Sequence, residues 1–225
     1  MRKFPIDNAR GNWYNNRDMS NRGKFIVFEG TDGSGKSTQI KLLAKYLEEK
    51  GISCYVTREP TDSPFGALLR SCLNGRVETD EYTIAAMFAA DRLDHIYNQV
   101  NGMLKKLEEG TTVLCDRYYM SSFAYNGEFV DTEWVISLNE AARRALHPDV
   151  TIFIDTPIEE AMRRVNRRSE TDRYETLEKQ FKIREKYFEL FTRFKEENVH
   201  IVPSESDRDG TQAHIRRIIN EEFGF

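Results

Sequence analysis

Residues 30–38 read GTDGSGKST, and the predicted fold of the whole chain is built around this stretch. It matches G-x-x-x-x-G-K-[ST] completely, at Gly30, Gly35, Lys36 and Ser37. An apolar run (FIVF, 25–28) precedes it and an amphipathic stretch follows it, which is typical of a strand, loop and helix. In such a loop, backbone N–H groups and the helix N-terminus surround phosphate oxygens. A glycine-rich turn without a ligand is the alternative, and the flanking strand and helix favour phosphate binding.

The residue types in this loop predict its chemistry. Lys36 is expected to reach the β- and γ-phosphates of a nucleotide, and the Ser37 hydroxyl is expected to bind Mg²⁺. The loop as a whole would enclose the phosphates. The predicted phosphate-contacting residues are Gly30, Thr31, Asp32, Gly33, Ser34, Gly35, Lys36, Ser37 and Thr38.

Length and charge narrow the class of protein. The 225 residues suit one α/β domain with a sizeable core and are few for two. The net charge of −4, from 33 basic and 37 acidic residues, implies no general affinity for nucleic acid or anionic membranes. No apolar run approaches the roughly 20 residues that cross a bilayer. Three cysteines without C-x-x-C spacing suggest reduced thiols, so we expect a soluble, cytoplasmic protein.

Strands and helices alternate after a polar N-terminal stretch. Residues 1–22 lack the apolar core of a secretory signal and are predicted to be a flexible extension, and 23–225 one domain. The predicted strands are 25–28, 53–57, 112–115, 150–154 and 200–202. The predicted helices are 36–50, one from Pro64, 80–109 with Val100 on its apolar side, 132–145, 177–197 with Phe181 in its core stripe, and 211–223. This alternation indicates a parallel sheet that binds ligands beyond the carboxyl ends of its strands.

Three further sets of residues are candidates for the site. Asp116 and Arg117 follow a strand, where they can hold hydrated Mg²⁺ and a second phosphate; a solvated strand end is the alternative. Phe88 and Arg92 lie one helical turn apart and can stack on a flat ring and bind its edge, although spacing alone favours a core Phe beside a surface Arg. Residues 163–175 hold five arginines against three acidic residues, which suits a mobile tip or a solvated helix end.

Taken together, these motifs resemble those of thymidylate kinases, P-loop kinases that phosphorylate dTMP. The resemblance covers nearly all of 24–225 and rests on FEGTDGSGKST from Phe28, TREP from Thr57, FAADR from Phe88, DRYYMSSFAYNG from Asp116 and DRYE from Asp172. It implies a three-layer P-loop NTPase fold around a five-stranded parallel sheet, with a mobile lid at about 163–175. It also implies a homodimer that uses ATP and Mg²⁺ to make dTDP for dTTP synthesis.

The resemblance further implies individual roles. On the acceptor side, Asp32 would bind the deoxyribose 3′-hydroxyl, Arg58 and Arg117 the dTMP phosphate, and Phe88 and Arg92 the thymine. Ser121, Ser122 and Asn126 would lie near base or phosphate, and Tyr125 near the sugar 2′ position. On the donor side, Arg164 would pack on the ATP adenine and Arg168 would reach the transferring phosphoryl group from the lid. The catalytic residues would be Lys36, Asp32, Arg117 and Arg168, with Ser37 and Asp116 at the metal.

The chain departs from the family pattern at three places. Thr61-Asp62-Ser63 stands where many relatives read GGT, Asn126 where a glutamine is common, and Gly33 where some relatives carry an arginine. Two other functions remain open: a kinase of another nucleoside monophosphate or deoxynucleoside, and a nucleotide-dependent switch. The absence of an N-K-x-D guanine-reading motif disfavours the switch.

Overall fold

Five parallel strands form one sheet in the order β2-β3-β1-β4-β5. They are β1 (Phe25–Glu29), β2 (Cys54–Arg58), β3 (Thr112–Asp116), β4 (Val150–Asp155) and β5 (Val199–Pro203). The computed structural model describes residues 22–165, 176–204 and 208–225. The predicted extension, apart from Arg22, and residues 166–175 of the predicted lid lie outside the described residues.

The helices pack on both faces of this sheet and give the three layers that the sequence predicts. They are α1 (Lys36–Glu49), α2 (Pro64–Leu73), α3 (Glu81–Tyr97), α4 (Met103–Glu108), α5 (Tyr119–Tyr125), α6 (Thr132–Ala145), α7 (Ile158–Val165), α8 (Leu177–Arg193) and α9 (Arg208–Phe223). A short 3₁₀ helix, Asn126–Glu128, follows α5. Four of the described helices begin where a side chain accepts a backbone N–H: α2 at Ser63, α3 at Asp80, α6 at Asp131 and α8 at Thr176.

The central strand β1 joins the two cores. Phe25 and Val27 pack with α2 to α6 and α8, whereas Ile26 and Phe28 face α1 and α9. Strand order reverses beside β1, since the chain places β3 on one side of it and β4 on the other. The crevice at such a reversal lies beyond the carboxyl ends of the strands. The phosphate loop begins at this point.

Two predicted helices differ from the observed ones. The predicted helix 80–109 is broken, because the Asn98 side chain accepts the N–H groups of Val100 and Asn101 and thereby competes with the helical pattern. Val100, predicted on the apolar side, is 78% exposed. Helix α8 ends at Arg193 instead of Glu197, and Phe181 is exposed while Ile183 and Tyr187 are buried. Among the described helices, none has the length and apolar character needed to span a bilayer.

Candidate active site

The phosphate loop runs from the end of β1 to the start of α1. Gly30, Gly33 and Gly35 have φ values of 144°, 78° and 98°, which a residue with a side chain rarely adopts. At Gly33 an added Cβ would lie 2.2 Å from the carbonyl oxygen of Ala161. Helix α7 therefore packs directly on the loop, and position 33 has no room for a side chain.

Lys36 is buried at the centre of the loop. Its Nζ donates to the carbonyl oxygens of Gly30 at 3.0 Å and Thr31 at 2.9 Å. Burial, and then the charge of Arg117, lower the pKa of Lys36 to about 8. A nearby polyanion would favour the charged form, because opposite charges stabilise each other more strongly where water is excluded.

Ser37 and Asp116 come together beside the loop. The Ser37 Oγ donates to the Asp116 Oδ2 at 2.8 Å. A cavity of about 140 Å³ adjoins them, and its lining comprises Asp32, Gly33, Gly35, Lys36, Ser37, Thr38, Asp116 and Arg117. Mg²⁺ prefers oxygen donors and usually binds one or two carboxylates together with phosphates and water, so this donor pair fits it.

Asp32 and Arg117 form an ion pair at the border of this cavity. Arg117 Nη2 lies 2.5 Å from Asp32 Oδ1, and the Tyr125 hydroxyl and Gln180 Nε2 each donate to Asp32 Oδ2 at 3.0 Å. Although burial alone would raise the pKa of Asp32, the charges of Arg117 and Lys36 hold it below its ordinary value. Arg117 also has a φ of 72°, which is unfavourable for any residue with a side chain. Backbone strain of this kind is often found at functional sites.

A second cavity, of about 90 Å³, lies on the other side of this ion pair. Its lining comprises Asp32, Glu59, Pro60, Leu73, Phe88, Arg92, Arg117, Ser121, Ser122, Tyr125 and Asn126. Every residue that the resemblance assigns to the acceptor nucleotide is in this set except Arg58. The two cavities share Asp32 and Arg117, so these residues connect them.

Arg58 lies apart from the other predicted acceptor residues. Its side chain is 61% exposed at the end of the edge strand β2, and its Nη2 pairs with Asp62 at 2.9 Å. It lines a cleft of about 450 Å³ that also includes Ser37, Asp116 and His95. The structure does not bring Arg58 into the cavity that holds Phe88.

Arg92 is buried, so its interpretation as a surface arginine is wrong. Its side chain is 1% exposed. Nε donates to Oε2 of Glu59 at 2.8 Å, Nη2 forms an ion pair with the same oxygen at 2.7 Å, and Nη1 donates to Ser122 Oγ at 3.0 Å and to Asn139. Glu59 and Asn139 are buried partners that the sequence analysis missed. The position of Glu59 in the motif TREP was the available signal for the first, and Asn139 gave none.

Glu29, the last residue of β1, was also missed. It is fully buried and accepts the N–H groups of Tyr118 and Ser121, the Ser121 hydroxyl and the Tyr187 hydroxyl. Burial raises the pKa of its carboxyl group. Glu29 thereby fixes the start of α5, which carries Ser121, Ser122 and Tyr125. Its place directly before the phosphate loop was the signal that could have found it.

The Thr61-Asp62-Ser63 departure has a structural partner in α3. Asp91 Oδ2 accepts the Thr61 N–H at 2.8 Å, and Asp91 Oδ1 accepts the Ser63 hydroxyl at 3.0 Å. The Thr61 hydroxyl donates to the same carboxylate at 2.5 Å. This loop is therefore held against α3 by a buried carboxylate.

The donor side of the loop is described only in part. Arg164, in α7, reaches the Gly33 carbonyl oxygen at 3.4 Å and pairs with Glu160 at 3.0 Å. Arg164 is thus adjacent to the phosphate loop. Arg168 and Arg173, the two predicted lid arginines, lie outside the described residues.

The chain matches known proteins over most of its length. The family model described as thymidylate kinase matches residues 28–215. A protein of Thermococcus gammatolerans named probable thymidylate kinase is 38% identical over 211 residues, which are 89% of this chain and 98% of that protein. A probable thymidylate kinase of Methanocaldococcus jannaschii is 37% identical over 89% of this chain and 94% of its own. The thymidylate kinase of Desulfotalea psychrophila is 39% identical over 71% and 77%.

Proposed function

This chain belongs to the thymidylate kinase family of phosphotransferases, and we propose that it transfers the γ-phosphoryl group of ATP to dTMP in a Mg²⁺-dependent reaction. The product would be dTDP, for dTTP synthesis in the cytoplasm, and neither nucleic acid nor membrane would be a partner. One observation carries the proposal. The cavity beside the phosphate loop and the cavity lined by Phe88 and Arg92 share Asp32 and Arg117, so two nucleotides bound there would meet at this pair.

The reaction needs charge neutralisation more than proton transfer. The acceptor oxygen belongs to a phosphate with a second pKa of about 6, so it is mostly ionised at pH 7 and needs no general base. Lys36, Arg117 and the proposed lid residue Arg168 would draw two polyanions together and hold them in line. Arg58 would join them only if it left Asp62. A Mg²⁺ ion held by Ser37 and Asp116 would supply further positive charge between the phosphates.

Acceptor recognition would depend on residues of α3 and α5. Phe88 would stack on the thymine, Asp32 would accept from the 3′-hydroxyl, and Tyr125 would crowd the 2′ position. Asn126 supports this arrangement, because both polar atoms of its buried side-chain amide lack a partner among the described residues. A buried amide without partners is costly, and a ring edge with both a donor and an acceptor would satisfy it. We therefore propose that the shorter Asn126 still contacts the base.

An assay of ADP formation tests the proposal. ADP release that requires both dTMP and Mg²⁺ is the expected result, with dUMP, CMP and thymidine as competing acceptors. Preferred phosphorylation of thymidine would indicate a deoxynucleoside kinase, which needs a base for a neutral 5′-hydroxyl. ATP hydrolysis at the same rate with and without each acceptor would indicate a nucleotide-dependent switch.

Removal of Arg92 should weaken acceptor recognition. In Arg92→Ala the thymine edge loses its buried donor. The fall in kcat/KM for dTMP should correspond to about 1–3 kcal/mol of lost transition-state stabilisation, while KM for ATP changes little. Steady-state kinetics with each substrate varied in turn measure both values. Arg144→Ala, at an exposed position of α6, is the control and should match the wild type. If KM for ATP moves instead, the two nucleotides have been assigned to each other's sites.

We also propose that the enzyme is a homodimer. Phe65 and Leu68 lie on one face of α2 and are 51% and 53% exposed, which is unusual for large apolar side chains side by side. Sedimentation should give the mass of two 26.3 kDa chains, and Leu68→Asp should give one. Lys45→Asp, on the exposed side of α1, should leave the dimer intact. A monomeric wild type contradicts the proposal.

A further inference from the structure

We propose that His95 is a positioning residue for the acceptor cavity, acting through Glu59 on Arg92. The inference rests on the proposed function, because it concerns how that cavity recognises its nucleotide. His95 lies in α3, three residues after Arg92, and its side chain is almost fully buried. It lines the cleft of about 450 Å³ that includes Arg58 and is not part of the acceptor cavity lining. Any effect of His95 on the acceptor must therefore be indirect.

The hydrogen-bond partners of His95 fix its proton. His95 Nδ1 lies 3.1 Å from Oε1 of Glu59, and Nε2 lies 2.7 Å from Oγ1 of Thr57. An ionised carboxylate only accepts, so Nδ1 carries the hydrogen and donates it to Glu59. Nε2 is held by the Thr57 hydroxyl on the other side of the ring. Both nitrogens of His95 are therefore fixed by neighbouring side chains.

Glu59 divides its two oxygen atoms between two partners. Oε2 takes both Nε and Nη2 of Arg92, and Oε1 takes the hydrogen bond from His95. With Oε2 alone fixed, the carboxylate could rotate and shift the Nε and Nη2 side of the guanidinium, while Nη1 stays bound to Ser122 and Asn139. His95 removes that freedom, because a second contact on Oε1 sets the plane of the carboxylate.

Arg92 has little donor capacity left for a ligand. Its guanidinium has five N–H groups. Three of them donate to acceptors among the described residues: Nε–H to Glu59, and the two Nη1–H groups to Ser122 and Asn139. The other two belong to Nη2, which lies 2.7 Å from Glu59 Oε2 in the ion pair. The direction of these two N–H groups, and hence their alignment with a base edge, depends on how Glu59 holds the Nε and Nη2 side of the guanidinium.

Three substitutions at His95 distinguish the effect of its hydrogen bond to Glu59 from the effect of its side-chain volume. His95→Leu keeps the approximate volume and removes both nitrogens. His95→Asn keeps an N–H donor near Nδ1, whereas His95→Gln places its polar end near Nε2 and loses the donor to Glu59. We expect His95→Leu and His95→Gln to lower kcat/KM for dTMP about tenfold with KM for ATP unchanged, and His95→Asn to restore most of it.

The measurement is steady-state kinetics on the full-length enzyme, together with thermal unfolding of each variant. Because a structural role would depend on packing, equal losses in Leu and Asn variants, or parallel changes of both KM values, overturn the inference. If His95→Leu does not fold, the Asn and Gln pair decides the outcome. A wild type that does not convert dTMP overturns the proposed function as well, whereas an active wild type with an equally active His95→Leu overturns this inference alone.

Discussion

Lys36→Ala is expected to lower kcat by at least about 10²-fold while the protein stays folded. The buried ammonium of Lys36 is held in the phosphate loop by the carbonyl oxygens of Gly30 and Thr31, so its charge would be preorganised to meet the phosphoryl group. Loss of one such donor costs on the order of 10²–10³ in turnover. Steady-state kinetics at saturating ATP and dTMP measure this loss.

The pKa of Lys36 explains why the substitution should not unfold the protein. Burial lowers this pKa to about 8, below the ordinary lysine value of 10.5, so at pH 7 the folded protein holds an ammonium group that is more stable in the unfolded chain. Alanine removes that opposing contribution. In the wild type, kcat/KM for ATP should fall as pH rises through about 8, because the neutral amine no longer attracts phosphate.

Lys45→Ala is the matched control, since Lys45 lies in the same helix with its ammonium in solvent. It should retain wild-type turnover. A Lys36→Ala enzyme with near-normal turnover would exclude this loop as the reaction centre.

The fold could be predicted in large part because its strongest signals are local. The strand, loop and helix around Gly30 are contiguous, and strand alternation continues to β5. The break after Tyr97 was missed because apolar spacing continues through it, while a single side chain, Asn98, diverts the backbone. Phe181 was misplaced for a similar reason, since several stripes of one helix are apolar and only packing selects one.

Sequence motifs predicted which residues line the candidate site. They did not predict the contacts with distant residues that set the geometry of those side chains. Asp32 and Arg117 stand in motifs, but Gln180, which binds Asp32, lies 148 positions away. Arg58 also stands in a motif, yet its direction depends on Asp62, its neighbour across the loop. Sequence spacing describes one element at a time, whereas these contacts join several.

Position 33 limits which arginines can supply positive charge to the transferring phosphoryl group. Some thymidylate kinases carry an arginine there, and in this chain α7 leaves no room for even a Cβ at Gly33. Lys36 and Arg117 lie at the loop, and Arg164 is held by Glu160. Arg163 pairs with Glu160 as well, and the other arginines of the predicted lid (Arg167, Arg168 and Arg173) lie outside the described residues. The sequence places Arg168 nearer the lid tip and Arg173 next to the following helix, so Arg168 is expected to reach the phosphoryl group and Arg173 to brace the lid.

Arg168→Ala should therefore lower kcat by about 10²-fold or more with little change in either KM. Charge that is met only in the closed complex acts chiefly on kcat, and one such arginine can contribute about 10³-fold or more. The comparison is with Arg173→Ala at saturating ATP and dTMP, and with Arg163→Ala, whose exposed side chain in α7 pairs with Glu160. Arg163→Ala should match the wild type, because the guanidinium of Arg163 is exposed to solvent and already paired with Glu160. A larger loss of kcat in Arg173→Ala than in Arg168→Ala would reverse the assignment and make Arg173 the residue that meets the transferring group.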